Sequence, residues 1–393
     1  MITQEETSVQ TQDTTQLLTR ITLPPLAWYG GSWAYEEPDP EPTPEPVAPP
    51  PEKWEQQTIG PESFGPDMRP GRGQGVILGR FLPPHAGHEY VVDFARRFTK
   101  QLTLFLRVGP EDTIAGELRE AWLREMFPDV KVVRVDDAPP LNDAEEQNAA
   151  RERWAWFVRQ SVAQPDYLFA SESYGAELAV RLGARYVPVD PARRVVPVSG
   201  EQIRGNPAAY WAYLPACVRP HYVRRVCLIG PEATGKTTLA GRLAARFNTL
   251  CTEEYARTWS SQARNFEWQP ADTQIIAQGQ RALTAVMAQR AYRVLFCDTD
   301  LLAVRLWCER IFGSVPEWLQ ELAQQEVCDL YLVTRPDVPY NGPARFDQPA
   351  QRQAFYERIV RELTERKLPF REISGDWETR FEQAHHAVET LLL

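Results

Sequence analysis

The sequence predicts an α/β protein of two domains, each built around a parallel sheet that helices cover on both faces. Three observations support this prediction. The chain has 393 residues, more than one ordinary core contains. From residue 75 onward, apolar strand-like runs alternate with segments of helical apolar spacing, which is typical of a parallel sheet. The alternation stops at residues 215–221 and begins again at residue 225. We therefore predict a disordered tail over residues 1–72, a first domain over 73–220 and a second over 221–393.

The predicted tail is acidic and rich in proline. Residues 36–53 interleave prolines with glutamates and aspartates, a composition that favours extended polyproline conformations over helix or sheet. The formal net charge of −10 argues against a general nucleic-acid binder, and we expect no DNA binding. No run approaches the roughly 20 apolar residues of a membrane span, and the N-terminal residues lack a secretion signal. We expect a cytoplasmic protein.

The first domain begins with a predicted strand at residues 76–78 and a helix at residues 89–98. Later predicted strands are 102–108, 131–135 and 167–170, and later helices are 116–127 and 144–162. All cysteines lie in the second half, without a C-x-x-C pair or a histidine at metal-ligand spacing. We interpret them as buried reduced thiols: Cys217, Cys227, Cys251, Cys297, Cys308 and Cys328.

A turn with two histidines connects the first predicted strand to the first predicted helix. Its sequence is GRFLPPHAGH, from Gly79 to His88. Backbone N–H groups and the positive end of a helix attract phosphate at such a turn. His85 and His88 are three residues apart, so both imidazoles face one side and can donate hydrogen bonds to one triphosphate. Gly87 lets phosphate approach the backbone. The alternative is a capped helix with incidental histidines, and the functional interpretation is preferred.

This turn resembles the signature of the nucleotidylyltransferase superfamily, an H-x-G-H that follows G-x-F-x-P. The resemblance implies a Rossmann-like fold in which His85 and His88 bind the ATP phosphates. The pair would stabilise charge on the α-phosphorus during in-line attack, without a covalent enzyme intermediate. ATP-binding roles are also implied for Gly79, Arg80 and Phe81.

A second motif follows about one domain length later, at residues 198–204. Ser199 stands three residues before Gln202, the spacing of a capping box, and Arg204 falls in the first helical turns. We expect Ser199 to bind ATP and Arg204 to act on the same triphosphate. The segment resembles the superfamily's I-S-x-T-x-I-R motif, with Glu201 in place of the usual threonine.

A P-loop, GPEATGKT, occupies residues 230–237 after a predicted strand at 225–229. Gly230 and Gly235 permit the tight loop whose N–H groups cradle phosphates. Lys236 bridges the β- and γ-phosphates, and Thr237 can ligate Mg²⁺. The second domain is therefore expected to bind a nucleoside triphosphate, and ATP is favoured. Further ATP-binding candidates in this motif are Glu232, Thr234 and Thr238.

Carboxylates and arginines accompany the P-loop. Asp298 and Asp300 follow a predicted buried strand at residues 293–297, and one of them should hold Mg²⁺. Glu253 or Glu254 can accept the proton of an attacking hydroxyl, and Glu254 is our candidate. A solvated charged loop is the competing interpretation. After another strand at 331–333, Arg335 and Arg345 suggest a lid that clamps the transferred phosphoryl group.

Residues from about 73 onward resemble the NadR family, which pairs a nicotinamide mononucleotide (NMN) adenylyltransferase with a ribosylnicotinamide kinase. Beyond the motifs above, the resemblance rests on residues 170–175, 189–194, 254–257 and 297–300. It implies a nucleotidylyltransferase domain followed by a P-loop kinase domain. Ribosylnicotinamide would be phosphorylated by Mg²⁺-ATP at the second site, and the product NMN would be adenylylated to NAD at the first.

Two other functions stay open at this point. The first domain alone is also compatible with adenylylation of another phosphate, such as phosphopantetheine. A regulator that binds nucleotides and senses NAD without turnover is a second alternative. A flavin-cofactor pathway is disfavoured, because its kinase is a β-barrel without a P-loop. The sequence leaves open whether the protein forms a homo-oligomer.

Overall fold

Two five-stranded sheets organise the chain. The computed structural model describes residues 73–139, 147–261, 267–339 and 349–393. The strands of the first sheet are β1 (Gln74–Gly79), β2 (Gln101–Val108), β3 (Lys131–Asp136), β4 (Tyr167–Ala170) and β5 (Arg185–Pro188). Neighbouring strands are parallel and follow the order β3-β2-β1-β4-β5. Consecutive residues of a strand point to opposite faces, so Phe105 packs into one core and Leu104 and Leu106 into the other.

Helices cover this first sheet on both faces. They are α1 (Ala86–Phe98), α2 (Gly116–Met126), α3 (Gln147–Ser161) and α4 (Tyr174–Leu182). Two short helices, α5 (Gly200–Gly205) and α6 (Arg219–Tyr222), follow β5 in the chain. Trp154 of α3 is fully buried, and its indole N–H donates to the Pro139 carbonyl. A buried indole therefore keeps its polar group paired while it fills the core between α3 and the sheet.

The second sheet repeats the parallel architecture. Its strands are β6 (Arg224–Ile229), β7 (Leu250–Thr252), β8 (Val294–Asp298), β9 (Leu330–Thr334) and β10 (Phe370–Ile373). They follow the order β10-β9-β6-β8-β7. β6 lies between β8 and β9, so the loop after β6 meets the carboxyl ends of both neighbours. Ligands of open α/β sheets bind at this edge.

Seven helices accompany the second sheet in the described residues. They are α7 (Lys236–Arg246), α8 (Tyr255–Ser261), α9 (Asp272–Ala288), α10 (Leu301–Phe312), α11 (Glu317–Gln325), α12 (Pro349–Glu365) and α13 (Trp377–Leu392). Both sheets belong to one compact unit, Gly65–Leu393. Trp211, in the predicted first domain, packs edge-on against Tyr292 in the predicted second domain, with ring centroids 5.9 Å apart.

The predicted fold class, α/β with two parallel sheets, is confirmed. α7 begins at Lys236, within the P-loop motif, because the loop passes directly into this helix. The boundary after residue 220 stays a prediction, and α6 spans it. Predictions for residues 1–72 and 144–146 lie outside the described residues. Within the described part of the chain, no helix is long and apolar enough to cross a membrane.

The cysteines are free thiols, and their burial differs from the prediction in part. Cys217 and Cys251 are partly exposed: Cys217 lies in the loop before α6, and Cys251 lies on β7, an edge strand of the second sheet. The buried ones are Cys227, Cys297, Cys308 and Cys328.

Candidate functional site

The first candidate site is a cavity of about 400 Å³ at the carboxyl ends of β1 and β4. All the candidate residues from the two motifs of the predicted first domain lie together here. The cavity lining includes Gly79, Arg80, Phe81, His85, Gly87, His88, Ser199 and Arg204. These residues are up to 125 positions apart in the sequence, and α5 carries the second motif to the start of α1.

The two histidines form a capping box at the start of α1. Nδ1 of His85 accepts the Gly87 N–H at 3.1 Å, and Nδ1 of His88 accepts the His85 N–H at 3.2 Å. Their ring centroids are 3.9 Å apart. Because each Nδ1 accepts a backbone hydrogen bond, a neutral ring must carry its proton on Nε2. Each histidine therefore has one N–H donor left for a ligand.

The electrostatic environment keeps both rings neutral. Burial lowers the pKa of His85 to about 4, and the positive charge of Arg193 adds to this effect. Burial also lowers the pKa of His88 well below its ordinary value, and His85 and Arg193 contribute. Neutral imidazoles do not repel each other at 3.9 Å, so two Nε2–H donors can stand side by side.

The second motif closes the cavity from the other side. Ser199 caps α5, since its hydroxyl accepts the Gln202 N–H at 3.2 Å and its own N–H donates to the Gln202 side chain at 2.9 Å. A Cβ on Gly200 would come within 2.6 Å of the Leu82 carbonyl oxygen, so glycine permits this close approach. Arg204 lines the cavity, but its guanidinium also donates to the Leu82 carbonyl. Part of its role is thus to hold the turn.

Sequence reasoning missed a buried arginine that fixes the histidine turn. Arg119 of α2 is fully buried and donates to the carbonyls of Arg80 and Arg107, at 2.6 and 3.1 Å. It also pairs with Asp112 at 2.7 Å, and Arg80 binds the same carboxylate at 2.6 Å. The Arg80 side chain is therefore already engaged with Asp112. An arginine on an amphipathic helix gives no sequence signal that it is buried.

The second candidate site is the P-loop and the cavity beside it. Gly230 and Gly235 both have positive φ, of 158° and 84°. A Cβ on Gly230 would lie 2.3 Å from the Thr334 hydroxyl, so the loop packs tightly on the end of β9. Lys236 is buried, and its ammonium donates to the Pro231 carbonyl at 2.9 Å. Burial lowers the pKa of Lys236, and the nearby carboxylates of Glu254 and Asp298 oppose this.

Asp298 is well placed for a cation next to the P-loop. It ends β8, is 1% exposed, and its Oδ2 accepts a hydrogen bond from the Thr237 hydroxyl. Its Oδ1 is buried without a hydrogen-bond partner. A buried carboxylate oxygen without a partner is costly, and a divalent cation would satisfy it. The residues Thr237 and Asp298 therefore fit Mg²⁺.

Asp300 does not share this arrangement, so the prediction that it is a metal ligand is not supported. Its Oδ1 caps α10 by accepting the Ala303 N–H at 2.9 Å. Its Oδ2 accepts the Tyr331 hydroxyl at 2.7 Å, beside the Cys328 thiol. Burial raises the pKa of Asp300. The helix start at Leu301 turns this carboxylate into the core, a feature that the spacing of the two aspartates did not reveal.

Glu254 lies beside the P-loop, whereas Glu253 is exposed. Glu254 lines a cavity of about 1120 Å³ together with Lys236 and Glu232. Arg257 bridges Glu254, at 2.9 Å, and the Thr237 hydroxyl, also at 2.9 Å. The structure thus separates two glutamates that the sequence could not distinguish.

Aromatic side chains form the far wall of this cavity. Trp307 and Phe355 have ring centroids 4.5 Å apart, and the Arg310 guanidinium lies over both rings. Trp268 also lines the cavity. A flat aromatic group of a ligand suits such a wall. The sequence signal for these residues was weak, because aromatic residues at helical spacing more often belong to a core.

The remaining predicted residues occupy other positions. The Thr234 hydroxyl is buried and donates to the Pro231 carbonyl at 2.8 Å, so its side chain supports the loop and is not free for phosphate. Thr238 is exposed at the start of α7. Arg335 pairs with Glu372 at 2.8 Å and does not line the cavity. Arg345 lies outside the described residues.

Known proteins resemble this chain in sequence. The AAA domain family matches residues 225–380. The "Trifunctional NAD biosynthesis/regulator protein NadR" of Salmonella typhimurium strain LT2 is 28% identical over 346 residues, which cover 81% of this chain and 83% of that protein. The Escherichia coli K12 protein of the same name is 28% identical over 332 residues, 78% of this chain and 80% of that protein.

The fold has counterparts among solved structures. A crystal structure of a NadR protein in complex with NAD and AMP-PNP superposes with a TM-score of 0.69 at 24% identity, covering 82% of this chain and 96% of that one. A NadR structure in complex with NR has a TM-score of 0.67 at 24% identity, covering 81% of this chain and 96% of that one. Both sheets described above therefore belong to one known two-part fold.

Proposed function

Because this chain belongs to the NadR family, we propose that it is a bifunctional enzyme of NAD salvage. In the first reaction ATP phosphorylates ribosylnicotinamide to NMN at the P-loop. In the second, the adenylyl group of another ATP is transferred to NMN and gives NAD at the histidine cavity. One observation carries the proposal: the same chain holds two separate cavities, one lined by the paired imidazoles and one beside the P-loop. We call the second one the acceptor cavity, because the proposed phosphoryl acceptor would bind there.

At the histidine cavity, the proposed chemistry is electrostatic. The NMN phosphate attacks the α-phosphorus of ATP, and pyrophosphate leaves. Negative charge grows on the phosphate oxygens in the transition state, and the Nε2–H groups of His85 and His88 donate to them. Both rings are already neutral and held by the α1 cap, so little reorganisation is needed. Arg204 and the N-terminus of α5 would contact the same triphosphate.

At the P-loop, Lys236 and the loop N–H groups would bind the β- and γ-phosphates of ATP. Thr237 and Asp298 would hold Mg²⁺, which neutralises phosphate charge when it is bound. Glu254, kept in place by Arg257, would accept the proton of the attacking ribose hydroxyl. The aromatic wall at Trp307 would bind the nicotinamide end of the acceptor.

The AMP-PNP, NAD and NR ligands of the two NadR structures support nucleotide and nucleoside substrates for this chain. The test is direct. Purified protein is incubated with Mg²⁺-ATP and ribosylnicotinamide, and NMN and NAD are separated by chromatography. Formation of NMN followed by NAD is expected. If neither forms, the enzymatic proposal fails.

Regulation is the second candidate function, because the two curated relatives carry "regulator" in their names. We do not extend DNA binding to this chain, since the sequence before the first sheet is acidic and proline-rich where DNA recognition needs basic residues. A mobility shift at modest salt with a promoter fragment should show no complex. A specific complex would favour the regulatory function.

A further inference from the structure

A tryptophan at the start of α13 lies against the P-loop. Trp377 is 48% exposed, although an indole is largely apolar. A Cβ added to Gly235 would come within 2.3 Å of the six-membered ring of this indole, so the ring lies directly on the glycine. Part of the ring thus contacts the loop and the rest faces solvent. Covering the exposed part with another flat group would remove apolar surface from water.

A helix cap and a buried arginine fix the first turn of α13 beside the P-loop. Asp376 caps the helix by accepting the Thr379 N–H at 2.8 Å. Arg380, one turn along, is 1% exposed and donates to the Thr234 carbonyl at 3.1 Å and to the Gly375 carbonyl at 2.8 Å. It also pairs with Asp337. The position of Trp377 is therefore set before any nucleotide arrives.

The γ-phosphate end of a bound triphosphate would face the acceptor cavity. Glu232, Ala233 and Lys236 line that cavity, and Trp377 does not. In phosphoryl transfer the γ-phosphate must face the acceptor, so the nucleoside end leaves the P-loop in another direction. Trp377 offers an exposed aromatic surface next to the last glycine of the loop, where it can meet that end.

We propose that Trp377 forms the nucleobase subsite of the P-loop, with the purine stacked on the exposed part of its indole. This inference rests on the proposed binding of ATP at the P-loop. Stacking uses the flat face that every base has, so it favours the larger purines over pyrimidines and discriminates little between adenine and guanine. Trp377 would therefore contribute to binding through the base and not through the phosphates.

The experiment compares a triphosphate with and without its base. Trp377→Ala, Trp377→Phe and a matched control, Trp318→Ala, are assayed for phosphorylation of ribosylnicotinamide. Trp318 is 40% exposed on α11. Loss of one stacking contact should raise KM for ATP and for GTP about 5- to 150-fold in Trp377→Ala. The phenylalanine variant should recover most of this affinity, and the control should match the unsubstituted protein.

Inorganic tripolyphosphate, used as a competitive inhibitor, supplies the decisive comparison. Its inhibition constant should be unchanged in Trp377→Ala, because it has no base to stack. Adenylylation of NMN, which uses the other site, should also be unchanged. If ATP and tripolyphosphate weaken equally, Trp377 supports the loop and the subsite is refuted. An unchanged KM for ATP also refutes it.

Failure of the proposed function would appear differently. If the unsubstituted protein does not phosphorylate ribosylnicotinamide, binding of ATP and of tripolyphosphate to the full chain is measured by calorimetry. The part of this binding that Lys236→Ala abolishes is the part that occurs at the P-loop. A selective loss of ATP binding at that site in Trp377→Ala would still support the subsite. Equal binding by both proteins would overturn it.

Discussion

His88 combines two roles that a pair of substitutions can separate. Its Nδ1 accepts the His85 N–H in the cap of α1, and its Nε2–H is left for phosphate. His88→Ala removes both. His88→Asn places an amide oxygen near the former Nδ1, so the cap can be kept while the Nε2 donor is lost. The two variants should therefore lose the same chemistry but differ in stability.

The expected magnitudes follow from the two roles. Removing one donor to developing transition-state charge costs about 10²- to 10³-fold in kcat. Losing a helix cap costs about 1 kcal/mol of the free energy of unfolding. Both variants should thus form NAD from NMN and ATP at least 100-fold more slowly than the unsubstituted protein, by the same estimate. Only His88→Ala should lose about 1 kcal/mol in urea unfolding.

The assay supplies NMN directly, so the P-loop reaction does not limit it. A rate near that of the unsubstituted protein for His88→Asn would refute the donor role. Slow adenylylation by His88→Ala alone would show that the cap, and not the Nε2–H group, carries the effect.

Two further predictions concern Asp298 and the acid side of the pH range. Asp298→Asn should reduce the rate of ribosylnicotinamide phosphorylation at least 100-fold and raise the Mg²⁺ concentration needed for half-maximal rate. The reason is that it removes the negative charge of the carboxylate whose Oδ1 has no hydrogen-bond partner. An unchanged Mg²⁺ dependence would contradict the assignment of Asp298 to the cation. The pKa of His85 is about 4 in the folded protein against 6.5 in the free side chain, so the unfolded chain binds more protons between these values and stability falls as pH drops through this window. Between pH 7 and pH 5 this loss is about 2 kcal/mol from His85; urea unfolding of the unsubstituted protein and His85→Asn measures it, and an equal pH dependence in both would contradict the buried neutral ring.

The strands and phosphate-binding turns could be predicted from the sequence because their signals are local. An apolar run such as β6, followed by a glycine-rich loop and a helix, needs no tertiary information to be recognised. The capping box at Ser199 was also predicted from residue spacing alone, and the structure confirms its hydrogen bonds. His85 and His88 lie together as predicted, but for another reason: His85 is the extended N-cap of α1, and the capping box joins it to His88.

Other features depend on which elements pack together, and sequence spacing does not reveal this. Arg119 and Arg380 lie on amphipathic helices like surface arginines, yet both are buried and hold the histidine turn and the P-loop through backbone carbonyls. Asp298 and Asp300 differ because Asp298 is the last residue of β8, whereas Asp300 is the N-cap of α10. Trp377 is more than 130 residues from the P-loop in the chain and meets it only because α13 packs on α7.

The central proposal, two reactions at two sites, is tested most directly by a crossed pair of variants. Lys236→Ala and His88→Asn are each assayed with ribosylnicotinamide plus ATP and, separately, with NMN plus ATP. Lys236→Ala should make NAD from NMN but nothing from ribosylnicotinamide. His88→Asn should convert ribosylnicotinamide to NMN, which then accumulates. Loss of both activities from either single substitution, with the fold intact by circular dichroism, would contradict two independent sites.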